Sequence, residues 1–436
     1  MGAPPPPPGS LGAPFIGETR PFLSDSFGFV LTRTRKHGDV WKTRILGDTV
    51  VFFAGPEAFP SFVDPDNFVR TGASPRAFEK LLHPDAVPFL DGDRHRVRKN
   101  LLLAAFTDDA LDSYLPGVFA VFERFADRWA RRDESELSQD IKQLAFDVAD
   151  HLFAASDPTT SDTARGQDFL LVPRGAVAPP VNLPFTSYGK ALRARERLHG
   201  FLATRVATPS DAEDGTVLGV LRSARGPDGD RLDDDELTIE LFHFYFASHA
   251  GLSAALAWLL VVLGEHPEIA QAIREEADAV LDDGTPRLDQ VRQLVTARAV
   301  SREVLRAYPI APFTFFGTAT RDFEVNGYRV REGWKGVGAI WPTLQDPATF
   351  DDPTAFRADR LDDATLGSLP HGAYVPLGAG PHRCAGQGLI QHVMPAFVAW
   401  FARNYKWDYP SQDSSPGGES LGPLPRDRVR GTVTAR

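Results

Sequence analysis

The chain has 436 residues, of which 42% are hydrophobic and 24% are charged, the proportions of an ordinary globular protein. It carries 47 basic and 58 acidic residues, and its net charge of −11 argues against a nucleic-acid-binding protein, which would show a basic excess. The single cysteine, Cys384, excludes an internal disulfide and a metal site made of several thiolates. It leaves two alternatives, a buried core thiol or one reactive or metal-binding sulfur.

The first twelve residues are rich in proline. The run Pro4–Pro8 predicts a stiff surface lead, because proline has no N–H to donate to a helix or a sheet. No basic stretch followed by an apolar one indicates a secretion signal here. We therefore expect a lead at residues 1–12, one domain at residues 13–436, and a cytoplasmic monomer.

Strand-like and helical patterns alternate along the chain. The segment 38–63 reads as short strands, with Val40–Thr43 and Val50–Phe53 as its clearest alternating runs. Apolar spacing typical of helices follows, and the predicted helices are 94–105, 108–132, 138–155, 188–207, 213–223, 235–264, 267–282, 288–308 and 386–403. The predicted fold class is mainly α with small β-sheets.

Between the last two predicted helices the pattern changes twice. Short strand-like pieces occupy residues 313–331, and residues 332–382 form a long coil rich in Pro, Asp and Gly. A coil of this length inside a compact domain usually serves function or surrounds a ligand.

The helix predicted at 235–264 contains the most apolar segment of the chain. Leu241–Gly264 has 24 residues without Asp, Glu, Lys or Arg, which is long enough to cross a bilayer. Acidic residues flank both ends, and neither end has the Lys or Arg that would anchor a membrane span. We therefore predict a helix surrounded by protein, and no membrane anchor.

The long coil ends in Leu377-Gly-Ala-Gly-Pro-His-Arg-Cys-Ala-Gly386, directly before the last predicted helix. Its glycines allow a tight loop whose backbone can approach a flat ligand closely. Backbone N–H groups and the positive end of the following helix stabilise a thiolate, the form of cysteine that binds iron. The loop therefore favours a ligating role for Cys384.

Two motifs precede this loop, Glu303-Val-Leu-Arg306 inside a predicted helix and Arg360 at the end of Phe356-Arg-Ala-Asp-Arg360. Together the three resemble, in order and spacing, the Glu-x-x-Arg helix, the following arginine and the cysteine loop of the cytochrome P450 family. The resemblance extends nearly end to end, from Pro14–Glu18 onward. It implies a single-domain cytochrome P450 fold with haem between a long central helix and the cysteine loop.

The resemblance implies that Cys384 is the axial ligand of iron in haem b (iron protoporphyrin IX). It places His95, Lys99 and His382 at the haem propionates. The residues implied to bind the cofactor are His95, Lys99, Leu377, Gly378, His382, Cys384 and Gly386. Glu303, Arg306 and Arg360 are implied to form a charge-paired network that serves folding and haem insertion.

Several positions depart from the family pattern. The oxygen-activating stretch of the long helix falls on Ala247, Ser248, His249, Ala250 and Gly251. Most members carry an acid followed by Thr where this chain has Ala250 and Gly251, and neither of these residues can relay a proton.

This chain also departs from the family pattern at positions around the cofactor. The arginine that is usual on the strand after the Glu-x-x-Arg helix, a propionate partner, falls at Gly317. The aromatic residue usual seven positions before the cysteine falls at Leu377, and Lys99 replaces a frequent Arg with a point charge.

Three chemistries remain open. The first, which we favour, is a monooxygenase in which substrate, water, Ser248 or His249 moves protons. The second is a peroxygenase, since peroxide brings its own protons; the long helix lacks the Arg of known fatty-acid peroxygenases. The third is a redox-neutral rearrangement or cyclisation assisted by haem or the pocket.

The positions that the resemblance assigns to substrate are almost all apolar, which predicts a hydrophobic small molecule. They are Phe78, Val87, Phe89, Leu183, Phe185, Phe242, Phe246, Ile310, Phe313 and Phe316. Any of these phenylalanines could equally be plain core. The segment Pro184–Ala191 and the turn Asp322–Gly327 resemble the branch acting on retinoids, sterols and other terpenoids, so we expect a terpenoid or another lipophilic natural product.

A ferredoxin and a ferredoxin reductase are the expected redox partners, and basic residues around His95, with Arg383, form a candidate docking patch. The rival class is a haem protein without catalysis, either an electron carrier or a gas sensor. A sensor would bring a signalling module, and an electron carrier would not need the lid predicted at residues 160–210.

Overall fold

The computed structural model describes residues 4–417, 424–426 and 429–436. Its helices are α1 (Thr19–Ser24), α2 (Ser26–His37), α3 (Gly55–Val63), α4 (Arg76–Leu82), α5 (Gly92–Leu103), α6 (Asp108–Ala130), α7 (Leu137–Ala154), α8 (Thr163–Phe169), α9 (Leu171–Ala176), α10 (Ser187–Ala207), α11 (Val217–Ser223), α12 (Asp234–Glu265), α13 (Pro267–Val280), α14 (Leu288–Val291), α15 (Val295–Ala307), α16 (Ile340–Leu344), α17 (Asp363–Ser368) and α18 (Gln387–Asn404). Short 3₁₀ turns lie at Val87–Phe89, Ala104–Phe106 and Asp211–Glu213.

The strands are β1 (Gly9–Ser10), β2 (Val40–Ile45), β3 (Asp48–Phe53), β4 (Phe68–Val69), β5 (Ser135–Glu136), β6 (Gly317–Ala319), β7 (Phe323–Val325), β8 (Tyr328–Val330), β9 (Lys335–Gly338), β10 (Tyr405–Asp408), β11 (Pro416–Gly417), β12 (Leu424–Pro425) and β13 (Arg430–Ala435). The largest sheet has six strands in the order β1-β2-β3-β9-β6-β4. A three-stranded sheet, β10-β13-β5, and the hairpins β7-β8 and β11-β12 complete the described strands. The prediction of a mainly helical chain with small sheets is confirmed.

The predicted strands near residue 40 are confirmed inside longer ones. β2 and β3 pair antiparallel, and Trp41 stacks face to face on Phe52 with ring centroids 4.2 Å apart, a cross-strand contact that stabilises the pair. The strand-like interpretation of the rest of 38–63 was wrong, because residues 55–63 form α3. Pro56 and Glu57 lie in the first turn of this helix, where both residue types are favourable.

The proline-rich lead is attached to the large sheet. Gly9 and Ser10 pair in parallel with Lys42 and Thr43 of β2. The carbonyl oxygens of Pro8 and Pro5 accept hydrogen bonds from the backbone N–H groups of Lys42, at 2.8 Å, and Arg329, at 2.9 Å. Proline cannot donate to a sheet but it can accept, so the lead is held through its carbonyl groups.

The helices surround α12, which runs through the main hydrophobic core and packs against α7, α10 and α18. It begins with a capping box, in which the Asp233 side chain accepts from the N–H of Glu236 and the Glu236 side chain accepts from that of Asp233. The helix has the length and apolarity of a membrane span, but most of it is buried inside the protein. The predicted protein-enclosed helix is therefore what the structure shows.

One carboxylate within α12 is completely buried. Glu240 accepts hydrogen bonds from Nη1 of Arg98 and from the backbone N–H of Val87, both at 2.9 Å. Glu236, one turn earlier, also binds the Arg98 guanidinium. These contacts fix α12 against α5 and the turn before it, which are the elements that carry His95 and Phe89.

Replacing Glu240 with Ala is expected to lower the free energy of unfolding by about 3 kcal/mol, because the Val87 N–H and Nη1 of Arg98 stay buried without their acceptor, while Arg98 keeps only its contact with Glu236. Chemical denaturation followed by circular dichroism measures the change. Glu275→Ala, on the exposed face of α13, is the matched control and should change stability by about 0.5 kcal/mol or less. A loss from Glu240→Ala no larger than that of the control would contradict the assignment.

Candidate active site

The cysteine loop is fixed by its own backbone. The N–H of Cys384 donates to the carbonyl of Leu377 at 3.0 Å, and Gly378 and Gly380 adopt φ angles of 76° and 65°. These angles are in the left-handed region, which side chains disfavour. A Cβ at Gly380 would also lie 2.8 Å from Cβ of Val63. The loop therefore needs its glycines, and it presents Cys384 just before α18 begins at Gln387.

The Cys384 side chain is accessible to solvent yet enclosed by protein atoms, so its accessible surface faces an interior cavity. Burial raises the pKa of the thiol, while the Lys99 ammonium, the Gly386 N–H and the Arg383 guanidinium act in the opposite direction. These three groups stabilise negative charge on the sulfur.

Cys384 is suited to a metal ion whose other ligands come from a cofactor and not from protein side chains. In the part of the chain that the structure describes, no group of three or more His, Cys, Asp or Glu side chains could hold a metal ion. A bare ion would therefore have one protein ligand, whereas the iron of a porphyrin needs only one axial ligand from the protein. The sulfur, its stabilising donors and the glycine loop fit a haem.

The sequence-predicted propionate residues lie together beside this loop. The rings of His95, on α5, and His382 stack with centroids 4.0 Å apart. Burial is the main cause that lowers the pKa of both, to about 2 for His382, so both are neutral N–H donors at neutral pH. Nζ of Lys99 donates to the carbonyl of Arg383, which ties α5 to the cysteine loop.

Phe106 connects the same loop to the long helix. A Cβ added at Gly386 would lie 3.8 Å from the Phe106 ring, which in turn contacts Phe244 of α12 with centroids 5.8 Å apart. Phe106 lies in the short 3₁₀ turn that follows α5.

Glu303, Arg306 and Arg360 meet in the interior, and all three are buried. Glu303 receives a two-pronged ion pair from Arg306, at 2.7 and 2.8 Å, and a third contact from Nε of Arg360 at 3.0 Å. The remaining nitrogens of the two arginines donate to carbonyl oxygens of the coil, including those of Leu344 and Ala355. The network therefore holds the coil that leads to the cysteine loop.

The stretch Ala247–Gly251 of α12 borders interior space. Ala247 is exposed and Ser248 and Ala250 are half-buried, although the helix around them is buried. A Cβ added at Gly251 would touch only Cδ1 of Ile310, at 3.4 Å. These small residues leave room beside the helix, and Ser248 is the one hydroxyl among them.

His249 points away from this space. Its Nε2 lies 3.1 Å from the carbonyl oxygen of Lys142 on α7, and its ring packs on Phe169. Burial lowers the pKa of His249 to about 4, so it is a neutral donor that joins two helices. The suggestion that His249 moves protons to the site has no geometric support.

Four phenylalanines from four separate segments form an aromatic cluster beside Ala247, and we infer that this cluster is one wall of the candidate cavity. Phe78 contacts Phe89 and Phe246, each with centroids 6.2 Å apart, and Phe315 at 5.8 Å. Phe315 also contacts Phe89 at 5.6 Å and is 37% exposed. Phe78, Phe89 and Phe246 are substrate residues predicted from the sequence, and Phe315, which was not predicted, joins their cluster.

Two predicted substrate residues have another location. Phe313 and Phe316 pack with the core of the large sheet, where Phe313 contacts Phe22 at 5.2 Å. The segment between α15 and β6 is irregular, so no periodicity indicates which side chains turn toward α12 and which toward the sheet. The structure assigns the inward position to Phe315.

The remaining substrate candidates divide by exposure. Val87 and Phe242 are buried, and Phe242 lies against His199 of α10. Leu183 and Phe185 are exposed at the surface, Phe185 by 74%. They lie between α9 and α10, in the predicted lid region.

Comparisons with known proteins agree with this arrangement. A family model described as Cytochrome P450 matches residues 183–422. Putative cytochrome P450 120 of Synechocystis sp. is 28% identical over 429 residues, which cover 97% of this chain and 96% of that protein. Abscisic acid 8'-hydroxylase 3 of Oryza sativa is 30% identical over 412 residues, or 92% of this chain and 81% of the relative.

Among solved structures, retinoic acid bound cyanobacterial CYP120A1 is similar with a TM-score of 0.91 and 28% identity, covering all of both chains. Cytochrome P450 OleT in complex with arachidonic acid has a TM-score of 0.81 at 21% identity, covering 97% of each chain, which shows a shared fold. The predicted fold class is confirmed.

Truncating Glu303 or Arg306 to Ala is expected to give little haem-loaded protein. Glu303→Ala leaves Arg306 and Arg360 buried without a carboxylate, and Arg306→Ala leaves Glu303 with Arg360 as its remaining arginine partner, at a cost of about 3–5 kcal/mol. The ratio of Soret to protein absorbance after purification measures the loading. Arg357→Ala is the control, since its side chain is half exposed and its carboxylate contacts are 3.7 Å long. Equal loading in all three variants would refute the structural role of the network.

Proposed function

The chain belongs to the cytochrome P450 family, and from that premise we propose that it is a monooxygenase that hydroxylates a lipophilic, terpenoid-type small molecule. It is a haem-binding oxidoreductase, as the family is. The observation that carries the proposal is Cys384, a fixed and stabilised sulfur facing an interior cavity with an apolar wall. Cys384 would hold haem b through its thiolate, and the bound haem would supply the chemistry of dioxygen activation.

The side chains proposed to contact the substrate are apolar. Phe78, Phe89, Phe246 and Phe315 present aromatic faces and edges from four segments, and Ile310 lies against Gly251. Such a wall binds a hydrophobic molecule by removing apolar surface from water, and it keeps water away from the reacting carbon. It offers no charged group to a polar substrate.

The substrate class rests on the relatives as well as on the wall. Several similar proteins are abscisic acid 8'-hydroxylases, and a similar solved structure holds retinoic acid. Both compounds are terpenoid acids with a compact, largely apolar ring and a conjugated chain. A molecule of this kind matches a cavity whose contacts are mainly phenylalanine rings.

Proton delivery in this proposal comes from water or from the substrate. Ala247, Ala250 and Gly251 have no proton to give, and His249 is committed to the Lys142 carbonyl. The Ser248 hydroxyl lies 3.4 Å from the carbonyl of Tyr245, which is a weak contact. A Cβ at Gly251 would meet only Ile310, and in this proposal an ordered water or a substrate hydroxyl takes the place of the missing side chain.

A second candidate function is that of a peroxide-driven peroxygenase, which is favoured by the lack of a proton-relaying side chain at Ala250 and Gly251. Peroxide carries the protons that Ala250 and Gly251 cannot relay. The two candidates differ in the oxidant they consume, so parallel assays with a ferredoxin and its reductase, or with hydrogen peroxide alone, separate them. A redox-neutral rearrangement would proceed with neither oxidant.

The proposed redox partner is a ferredoxin with its reductase, acting on a monomer in the cytoplasm. Arg94, Arg96 and Arg383 are exposed and carry the positive charge of the predicted patch. Arg98 does not belong to it, because it is buried against Glu236 and Glu240.

Replacing Cys384 with Ala or Ser is expected to abolish the long-wavelength Soret band of the reduced, CO-bound protein, because that band requires a thiolate ligand. Ala385→Ser, one residue further along the same loop, is the control and should keep the band. An unchanged spectrum in Cys384→Ala would overturn the axial assignment and the proposed function with it.

Replacing Gly251 with Thr is expected to raise the ratio of product formed to reductant consumed, since the new hydroxyl supplies a proton donor next to the site of dioxygen activation. Gly200→Thr, on an open face of α10 where an added Cβ meets no atom within 4 Å, controls for the helix propensity of Thr. Product and reductant are quantified in the same assay. An unchanged ratio would favour the peroxide-driven or redox-neutral alternative.

A further inference from the structure

Arg70 is a buried cation next to the candidate haem site that has no role so far. It follows β4 and is 4% exposed. Its guanidinium lies over the ring of Phe62 at 4.1 Å, and its Nη1 donates to the carbonyl of Phe315 at 3.0 Å. Burial lowers the pKa of Arg70 to about 10, so the group is still charged at neutral pH.

The protein gives this charge an incomplete set of partners. Among the described residues, Nε and Nη2 of Arg70 have no hydrogen-bond acceptor, and each retains some accessible surface. The nearest acid, Asp91, is occupied: it accepts from the N–H groups of Arg70 and Thr71 and from the Thr71 hydroxyl, at 2.7 to 2.9 Å. A buried guanidinium with two free donors is costly unless an anion binds it.

The surroundings of Arg70 indicate where that anion lies. Asp91, which accepts from the Arg70 N–H at 2.8 Å, has its Oδ1 3.9 Å from Nε2 of His382, and the His382 ring stacks on His95 beside the cysteine loop. Lys99, four residues after His95 on α5, donates to the loop carbonyl of Arg383. The free donors of Arg70 thus belong to a cluster of cations and N–H donors at one edge of the Cys384 site.

Gly317 makes room for the Arg70 side chain. β4 pairs antiparallel with β6, and Val69 is opposite Thr318, so the register continued by one residue brings Arg70 opposite Gly317. Directly opposed residues of an antiparallel pair project on the same face. A Cβ added at Gly317 would lie 3.0 Å from Nη1 of Arg70. The guanidinium therefore fills the position that a side chain at residue 317 would occupy.

We propose that Arg70 binds a propionate carboxylate of haem, and that it supplies from β4 the cation that β6 lacks because residue 317 is glycine. The inference rests on the proposed function, since it requires haem at Cys384. Arginine is suited to this role because its fork donates two parallel hydrogen bonds to one carboxylate.

A carboxylate on the substrate is the other source of the same chemistry. The cofactor is favoured because Arg70 is grouped with His382 and Lys99, which belong to or bind the cysteine loop, whereas the substrate wall is built from phenylalanines. The two sources are distinguished by a probe that changes only the cofactor.

That probe is iron protoporphyrin IX dimethyl ester, in which both propionates are neutral. Wild-type protein, loaded with haem or with the ester, is mixed with excess apomyoglobin, and the rate of porphyrin loss is followed by absorbance. We expect the ester to leave about 10–100-fold faster than haem, because a hydrogen bond to a charged group contributes about 1.5–3 kcal/mol. No variant is needed in this arm, so misfolding cannot explain the result.

Variants then assign the effect to Arg70. Arg70→Met keeps an unbranched apolar stem but removes the charge, and it should lose haem about 10–100-fold faster than wild type. Its penalty for the ester should be smaller than that of wild type by a similar factor. The double variant Arg70→Met with Gly317→Arg returns a guanidinium to the same place and should recover most of the retention. Arg287→Ala, an exposed arginine just before α14, is the control.

Each result is decisive. Equal ester penalties in wild type and Arg70→Met, or haem loss from Arg70→Met at the wild-type rate, would refute propionate binding by Arg70. Haem retention unaffected by the variant together with weaker binding of a carboxylated terpenoid would assign the residue to substrate instead. If wild-type protein takes up no haem with a thiolate spectrum, the proposed function fails, and that failure is seen before Arg70 is tested.

Discussion

Charge buried inside this protein must be matched by opposite charge or by hydrogen bonds, and that constraint determines how the site is built. The Glu303 carboxylate joins Arg306 and Arg360 and so holds the coil that precedes the cysteine loop. The Glu240 carboxylate joins Arg98 and so positions α12 against α5. Replacing either pair by apolar residues need not cost stability, but breaking one partner does, because the other stays buried. The two pairs therefore fix the two walls of the cavity in relation to each other.

Secondary structure was predictable from the sequence where one apolar spacing persists over many residues. It was not predictable in short irregular segments. The predicted helix 108–132 is α6 (Asp108–Ala130), because its apolar spacing persists over many turns. The glycine loop before α18 was recognised because it needs special φ angles that few residue types adopt. By contrast, the strand prediction for residues 55–63 was wrong, because a nine-residue segment with phenylalanines and prolines fits the apolar spacing of a strand as well as that of a helix.

The candidate site shows the same division. Cys384, Glu303 and Arg306 belong to motifs whose chemistry only certain residue types perform, so they could be named as candidates from the sequence. Phe315 could not be found, because nothing in the local sequence separates a phenylalanine that faces the cavity from one that faces the sheet. Arg70 could not be found from the sequence either. Arg70 becomes informative only when the register of β4 and β6 brings it opposite Gly317. His249 illustrates the opposite error, since its position on α12 suggested proton transfer, whereas its ring faces α7.

The attachment of the proline-rich lead has a consequence for solubility. The large sheet would otherwise end at β2, whose free edge could pair with another chain. β1 covers that edge, and the prolines before it have no N–H to offer to a further strand. Pro4–Pro8 therefore cannot extend β1 into a longer hydrogen-bonded edge, which shortens the edge at which another chain could pair.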